Sequence, residues 1–142
     1  MKLKEALNKL NSEKFNINYN FNSQYWELVI FTQDYDIKAE YKGKFLVDVL
    51  KEHFKEKIDL KASLEAYYQD GYRNLSLNYD NTDYSDNFIT LSLNDKYEYT
   101  RTFCLNNIED LASKLENLNS LFTDYELDLT QIFKEARQYA YR

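Results

Sequence analysis

The chain has 142 residues, of which 44% are hydrophobic, 30% charged and 17% aromatic, with a formal net charge of -6. That length suits one domain around a single core, and the 14 Tyr, 9 Phe and one Trp must supply much of it. One His and one Cys leave no pair for an internal disulfide or a Cys/His zinc site. No apolar run approaches the roughly 18 residues that a membrane-crossing helix needs, and MKLKEALNKL alternates charge with Leu where a signal peptide carries an apolar core. The expectation is an unprocessed protein of the cytoplasm, with no membrane partner.

Leu3, Ala6, Leu7 and Leu10 recur at helical spacing and predict an opening amphipathic helix. The period then changes to two. In NINYNF, Ile17, Tyr19 and Phe21 share one face and Asn16, Asn18 and Asn20 the other, as in a half-buried strand. WELVIFT (26–32) suits a central strand, and IKAEYKGK alternates Ile37, Ala39 and Tyr41 with Lys38, Glu40 and Lys42. Short polar links predict antiparallel hairpins. From Phe45 to Lys57, the stripe Leu46, Val49, Leu50 and Phe54 predicts a second helix, with His53 on its solvated side.

The order then recurs. SLEAYYQDGY (63–72) reads as a short helix stopped near Gly71. RNLSLNY, NFITLSL and KYEYTRTFCL alternate with period two, which groups Leu75, Leu77 and Tyr79, then Ile89, Leu91 and Leu93, then Tyr97, Tyr99, Arg101 and Phe103. Asn106 and Glu109 have the spacing of a capping box before the stripe Ile108, Leu111, Leu115 and Leu118. A last helix is predicted over 126–141. The economical architecture is α+β: an antiparallel sheet of about six strands in two three-stranded meanders, continuous or split, with helices on one face. Residues 1–60 and 61–122 form candidate pseudo-repeats.

Chemistry is sparse. The sequence contains no G-x-S-x-G, no Walker loop and no paired Cys or His, and Gly43 and Gly71 cannot build a phosphate cradle. No catalytic residue, metal ligand or cofactor is assigned, and a non-enzymatic protein is expected. The pointed stretch is NYDNTDYSDN (78–87), which spaces Asp80, Asp83 and Asp86 evenly and holds Tyr79 and Tyr84 between them. Counted from Asp80, a calcium EF-hand loop would need Gly at the sixth position and Glu at the twelfth; Ser85 and Leu91 stand there. The motif fails.

Charge is distributed unevenly. Residues 1–60 carry ten Lys and ten acids, while 61–142 carry eight Lys plus Arg against fourteen acids. Asp95, Glu109, Asp110 and Glu116 extend the acidic density beyond the aspartate stretch, and the last three lie off the apolar stripe of their helix. Such a surface attracts a basic cleft, speeds encounter and occupies a groove meant for phosphates, and it opposes direct binding of nucleic acid.

In its general plan the chain resembles the small acidic inhibitors of phages and mobile elements, of the anti-CRISPR or anti-restriction type, without sharing a motif with them. The resemblance implies a cytoplasmic, DNA-mimicking inhibitor acting in a bacterial host on a nuclease or other protein with a basic surface. Toxin-immunity proteins share the profile, and a small-ligand protein with a pocket between the meanders is a further alternative. The expected partner surface comprises Tyr79, Asp80, Asp83, Tyr84, Asp86, Asp95, Glu109, Asp110 and Glu116, on a monomer or homodimer.

Overall fold

The structure, a computed structural model, describes residues 1–20, 22–60, 73–82, 87–93 and 100–116. Helix α1 (Leu3–Leu10) leads into strands β1 (Lys14–Asn20), β2 (Tyr25–Phe31) and β3 (Ile37–Gly43), then helix α2 (Leu46–Phe54). Strands β4 (Arg73–Asp80), β5 (Phe88–Leu93) and β6 (Thr100–Cys104) follow, and helix α3 (Ile108–Glu116) is the last element described. The helices expected at 63–72 and 126–141 lie outside the described residues, as does the first half of KYEYTRTFCL. No helix among the described residues is long and apolar enough to cross a membrane.

The strands form one antiparallel sheet in the order β3-β2-β1-β4-β5-β6, so the fold is α+β and the two meanders are continuous. β1 and β4, the first strand of each meander, lie side by side at the centre. Asn18 pairs with Asn78, 60 positions on, and Ile17 and Tyr19 pair with Tyr79 and Leu77. Counted outward from the centre, each meander runs first, second, third strand, and with β1 and β4 antiparallel this gives the sheet topology a two-fold relation about the Asn18–Asn78 pair. Among the described residues, this junction between the meanders is a closed ladder and not a cleft.

Period two is realised as burial. Phe15, Ile17 and Tyr19 of β1, Trp26, Leu28 and Ile30 of β2, Leu75, Leu77 and Tyr79 of β4 and Ile89 of β5 are all buried on the helix-facing side. Tyr19 and Trp26 pack with ring centroids 4.9 Å apart. Leu3, Ala6, Leu7 and Leu10 of α1, Leu46, Val49 and Leu50 of α2, and Ile108, Leu111, Ala112 and Leu115 of α3 complete the core. α2 lies over β2 and β3, whereas α1 packs against α3. On the other face, asparagines line the centre of the sheet, with Asn16 Nδ2 donating to Asn78 Oδ1 at 2.9 Å.

Two local departures from the expected pattern bear on function. In β3 the pairing runs Ala39 to Ile30 but Ile37 to Phe31, so Lys38 is an extra, bulged residue. The bulge reverses the side on which the preceding residue emerges. Ile37, expected to share the buried face with Ala39 and Tyr41, is instead 59% exposed. Helix α2 also stops short of the expected Lys57, at Lys55, which takes a left-handed conformation with φ 57° and returns its N–H to the carbonyl of Lys51 at 2.8 Å.

Candidate partner-binding surface

The aspartate stretch begins as a tightly bonded turn. The Asp80 carboxylate accepts the Thr82 N–H at 2.6 Å. Asn87 closes the turn from the far side: its Oδ1 accepts the Asp80 N–H at 2.8 Å and its Nδ2 donates to the Asp80 carbonyl at 2.9 Å. Asn81 joins the turn to the start of β1. Its Oδ1 accepts the Phe15 N–H at 2.9 Å, and its Nδ2 donates to the Glu13 carbonyl at 2.5 Å. Asn residues suit such places because one short amide supplies both a donor and an acceptor to backbone. Asp80 is therefore half-buried and partly occupied by its own turn. Asp83, Tyr84, Asp86 and Asp95 lie outside the described residues.

Tyr79 is not part of a surface. It is 4% exposed and its ring stacks on Phe15 with centroids 5.7 Å apart. The reason is the strand period itself: Tyr79 follows Leu75 and Leu77 on the buried face, and that register outweighs its position beside Asp80. Burial, and secondarily the Asp80 charge, raises the Tyr79 phenol above its ordinary value.

Helix α3 begins beside the same turn. The Leu105 N–H donates to the Asn87 carbonyl at 2.9 Å, which fixes the helix N-terminus next to the β4–β5 connection. The cap falls one residue later than the Asn106/Glu109 spacing suggested. Asn107 Oδ1 accepts the Asp110 N–H at 2.8 Å, and Asp110 reaches back to accept the Asn106 N–H at 3.1 Å. This releases Glu109, which is exposed. It engages Asp110, whose second oxygen accepts from Lys114 Nζ.

That Lys114 hydrogen bond, aided by the Asn106 N–H and opposed by partial burial, lowers the Asp110 carboxyl below its ordinary value. A lowered folded-state value stabilises the fold above the unfolded-state pKa, near 3.9, and the contribution is lost as pH falls through the folded-state value. Asp110→Asn is thus expected to cost about 0.5–1 kcal/mol at neutral pH, a figure reduced for solvent screening. The deficit should shrink as the pH is taken below about 4, as read by urea unfolding at a series of pH values. A deficit independent of pH would show that the carboxylate charge is not involved.

Glu116 is at the far end of the helix, about 10 Å along the axis from Glu109, in a shallow recess shared with Lys2, Lys57 and Asp59. It does not join the turn.

The pairing shows what does. Lys14 is opposite Phe31, Asn16 opposite Asp80, Phe31 opposite Ile37, and Phe88 opposite both Asn78 and Cys104. The β2–β3 hairpin, the β4–β5 turn and the start of α3 therefore share one end of the sheet. Glu13, Asp34, Asp36, Asp80, Glu109 and Asp110 collect there, and Asp34, Asp36 and Glu109 are exposed. Sequence reasoning missed Asp34 and Asp36, because the first 60 residues are neutral as a block; the hairpin position of QDYD was the available signal. Of the neighbouring bases, Lys38 is paired with Glu13 at 3.3 Å, whereas Lys14 bonds the uncharged Gln33 carbonyl at 3.0 Å and keeps its charge, which the six acids outnumber.

The hairpin tip carries an exposed aromatic. Tyr35 N–H closes a turn onto Thr32 O at 3.0 Å and Thr32 N–H bonds Asp36 O at 2.8 Å, with Tyr35 at φ 65°. This is the three-residue hairpin loop whose last position favours Gly or Asn. A tyrosine there costs about 1–2 kcal/mol. Lys14 Nζ sits 3.8 Å from its ring centroid, a contact that contributes about 0.5–1 kcal/mol. The contact offsets about half of that cost, so Tyr35 adds nothing to stability.

A second polar cluster lies beneath this end. His53 Nδ1 is 3.1 Å from Tyr41 Oη, and His53 Nε2 is 3.4 Å from Glu13 Oε2. His53 is largely buried, contrary to its expected solvated position, with its ring edge-on to Tyr41 and Phe54. Together these contacts tie α2, β3 and the α1–β1 connection. Among the described residues, no group of three or more His, Cys, Asp or Glu is placed to hold a metal ion. No protein-family model, curated protein or solved structure matches the chain.

Proposed function

We propose that this protein is a non-enzymatic inhibitor, of the kind used by phages and mobile elements against host defence, which presents the acidic end of its sheet to the basic groove of a nuclease or another nucleic-acid-handling protein. The observation that carries this reading is the convergence of three separate chain segments, the β2–β3 hairpin, the β4–β5 turn and the α3 N-terminus, on one end with six acids. Opposite charge in a partner's groove accelerates encounter and makes it salt-sensitive. Carboxylates set on a rigid sheet end act as stand-ins for phosphates without requiring a nucleic acid to be bound.

The test is restoration of phage plating in bacteria that carry one of a panel of defence nucleases, followed by stopped-flow association with the nuclease that responds. Wild type is expected to restore plating against at least one of the panel. Asp34, Asp36 and Glu109 are exposed, and their carboxylates accept no hydrogen bond from another described residue, so a D34N/D36N/E109Q variant should stay folded. Its association should slow about ten-fold at low salt. Failure of wild type against the whole panel, or an unchanged rate in the variant, would remove the assignment.

A further inference from the structure

We propose that Tyr35 and Ile37 form the apolar anchor of this acidic end and insert into a pocket of a protein partner that is rimmed with arginine or lysine. The inference rests on the acidic-end reading and adds to it the side chains that would hold the partner once charge has brought it close. Tyr35 is 49% and Ile37 59% exposed, and they are two of the three exposed large hydrophobic residues among those described. They stand two positions apart at a hairpin tip. Each is turned outward by a backbone irregularity, the left-handed Tyr35 and the bulge after Ile37.

Neither side chain is needed by the fold at its position. The hairpin loop favours Gly or Asn where Tyr35 stands, and Ile37 leaves the core face. Pairing of the sheet edge with another strand does not account for them, because the same bulge and the exposed Lys38 and Lys42 blunt β3 as a pairing edge. An aromatic with few torsions, one face held over Lys14 and the other free of any ring contact among the described residues, is a low-entropy anchor. Asp34 and Asp36, exposed on either side of Tyr35, specify the charge of the pocket rim. A partner carrying Arg or Lys around an apolar socket would meet both features.

The test uses two synthetic peptides of equal positive charge, an oligo-arginine and an arginine–leucine copolymer, titrated into the full chain. Binding is measured by calorimetry and mapped by amide chemical shifts. The arginine–leucine peptide is expected to bind about five-fold or more tightly and to shift the amides of residues 33–38. Tyr35→Gly with Ile37→Thr should keep the thermal midpoint within a few degrees and abolish that excess while leaving oligo-arginine affinity unchanged. Equal affinity of the two peptides, or an excess that survives in the variant, would overturn the anchor and leave the acidic-end reading standing. Binding of neither peptide would overturn both. A wild-type dimer in light scattering that becomes monomeric in the variant would instead make a second copy the occupant, and the basic partner would be rejected.

Discussion

Replacing Tyr79 with alanine is expected to lower the unfolding free energy by about 3–5 kcal/mol, the range for deleting a buried aromatic, whereas Tyr79→Phe should change it little at neutral pH. The ring fills the space between Phe15 and the helix-facing side of β4, and deletion leaves a cavity next to the central strand pair. The hydroxyl adds a pH dependence. Its folded-state pKa lies above the unfolded value, near 10, so the group contributes fully below that pH, and its contribution is lost as pH rises through the folded-state value. Alkaline denaturation followed by tyrosinate absorbance would show wild type losing stability above about pH 10 more steeply than the Phe variant. Equal stability of the Ala and Phe variants at pH 7 would contradict the buried position.

Asn81→Ala is expected to cost about 2–4 kcal/mol, because truncation strands a part-buried N–H of Phe15 and the Glu13 carbonyl together. Each end of this amide bonds the backbone of the first meander from a residue of the second, so the loss concerns the junction and not only the turn. Hydrogen exchange should show the Phe15 amide losing protection far more than the Ile30 amide on the neighbouring strand. A loss below about 0.5 kcal/mol in urea unfolding would mean that water replaces the amide at no cost.

The elements were legible where one physical rule acted alone. Period two placed Phe15, Ile17, Tyr19, Leu75 and Leu77 on the core face, and helical spacing found the buried stripes of α1 and α2 and the described part of that of α3; α2 ends short of the expected Lys57, and Leu118 lies outside the described residues. Two rules competed at Tyr79, whose strand register argued for the core and whose acidic neighbours argued for a surface, and burial prevailed. At Ile37 the period itself was broken by one inserted residue, which composition does not reveal. The cap of α3 moved by one position because Asn106 and Asn107 are both competent caps, and only the fold decides which is bonded.

The candidate surface was the least legible part. Acids were sought as a run along the chain, whereas strand pairing assembles them from segments as distant as Asp34 and Glu109. The register that brings those segments together depends on β1 meeting β4, a contact across some 60 positions. His53 was similarly opaque, since its partners Tyr41 and Glu13 belong to other elements.

The packing of α1 against α3 governs how the molecule can be made. Leu10 ends the first of these helices and Ile108 begins the second, so α1 emerges from the ribosome long before its cover exists. Local hairpins can close early, but the central ladder and the α1–α3 contact both await the second meander, and such non-local closure is slow. Until then the apolar stripe of the first helix is a surface for chaperones. A pause in translation before residue 108 would therefore leave α1 without the helix it packs against, while α2 already lies over β2 and β3.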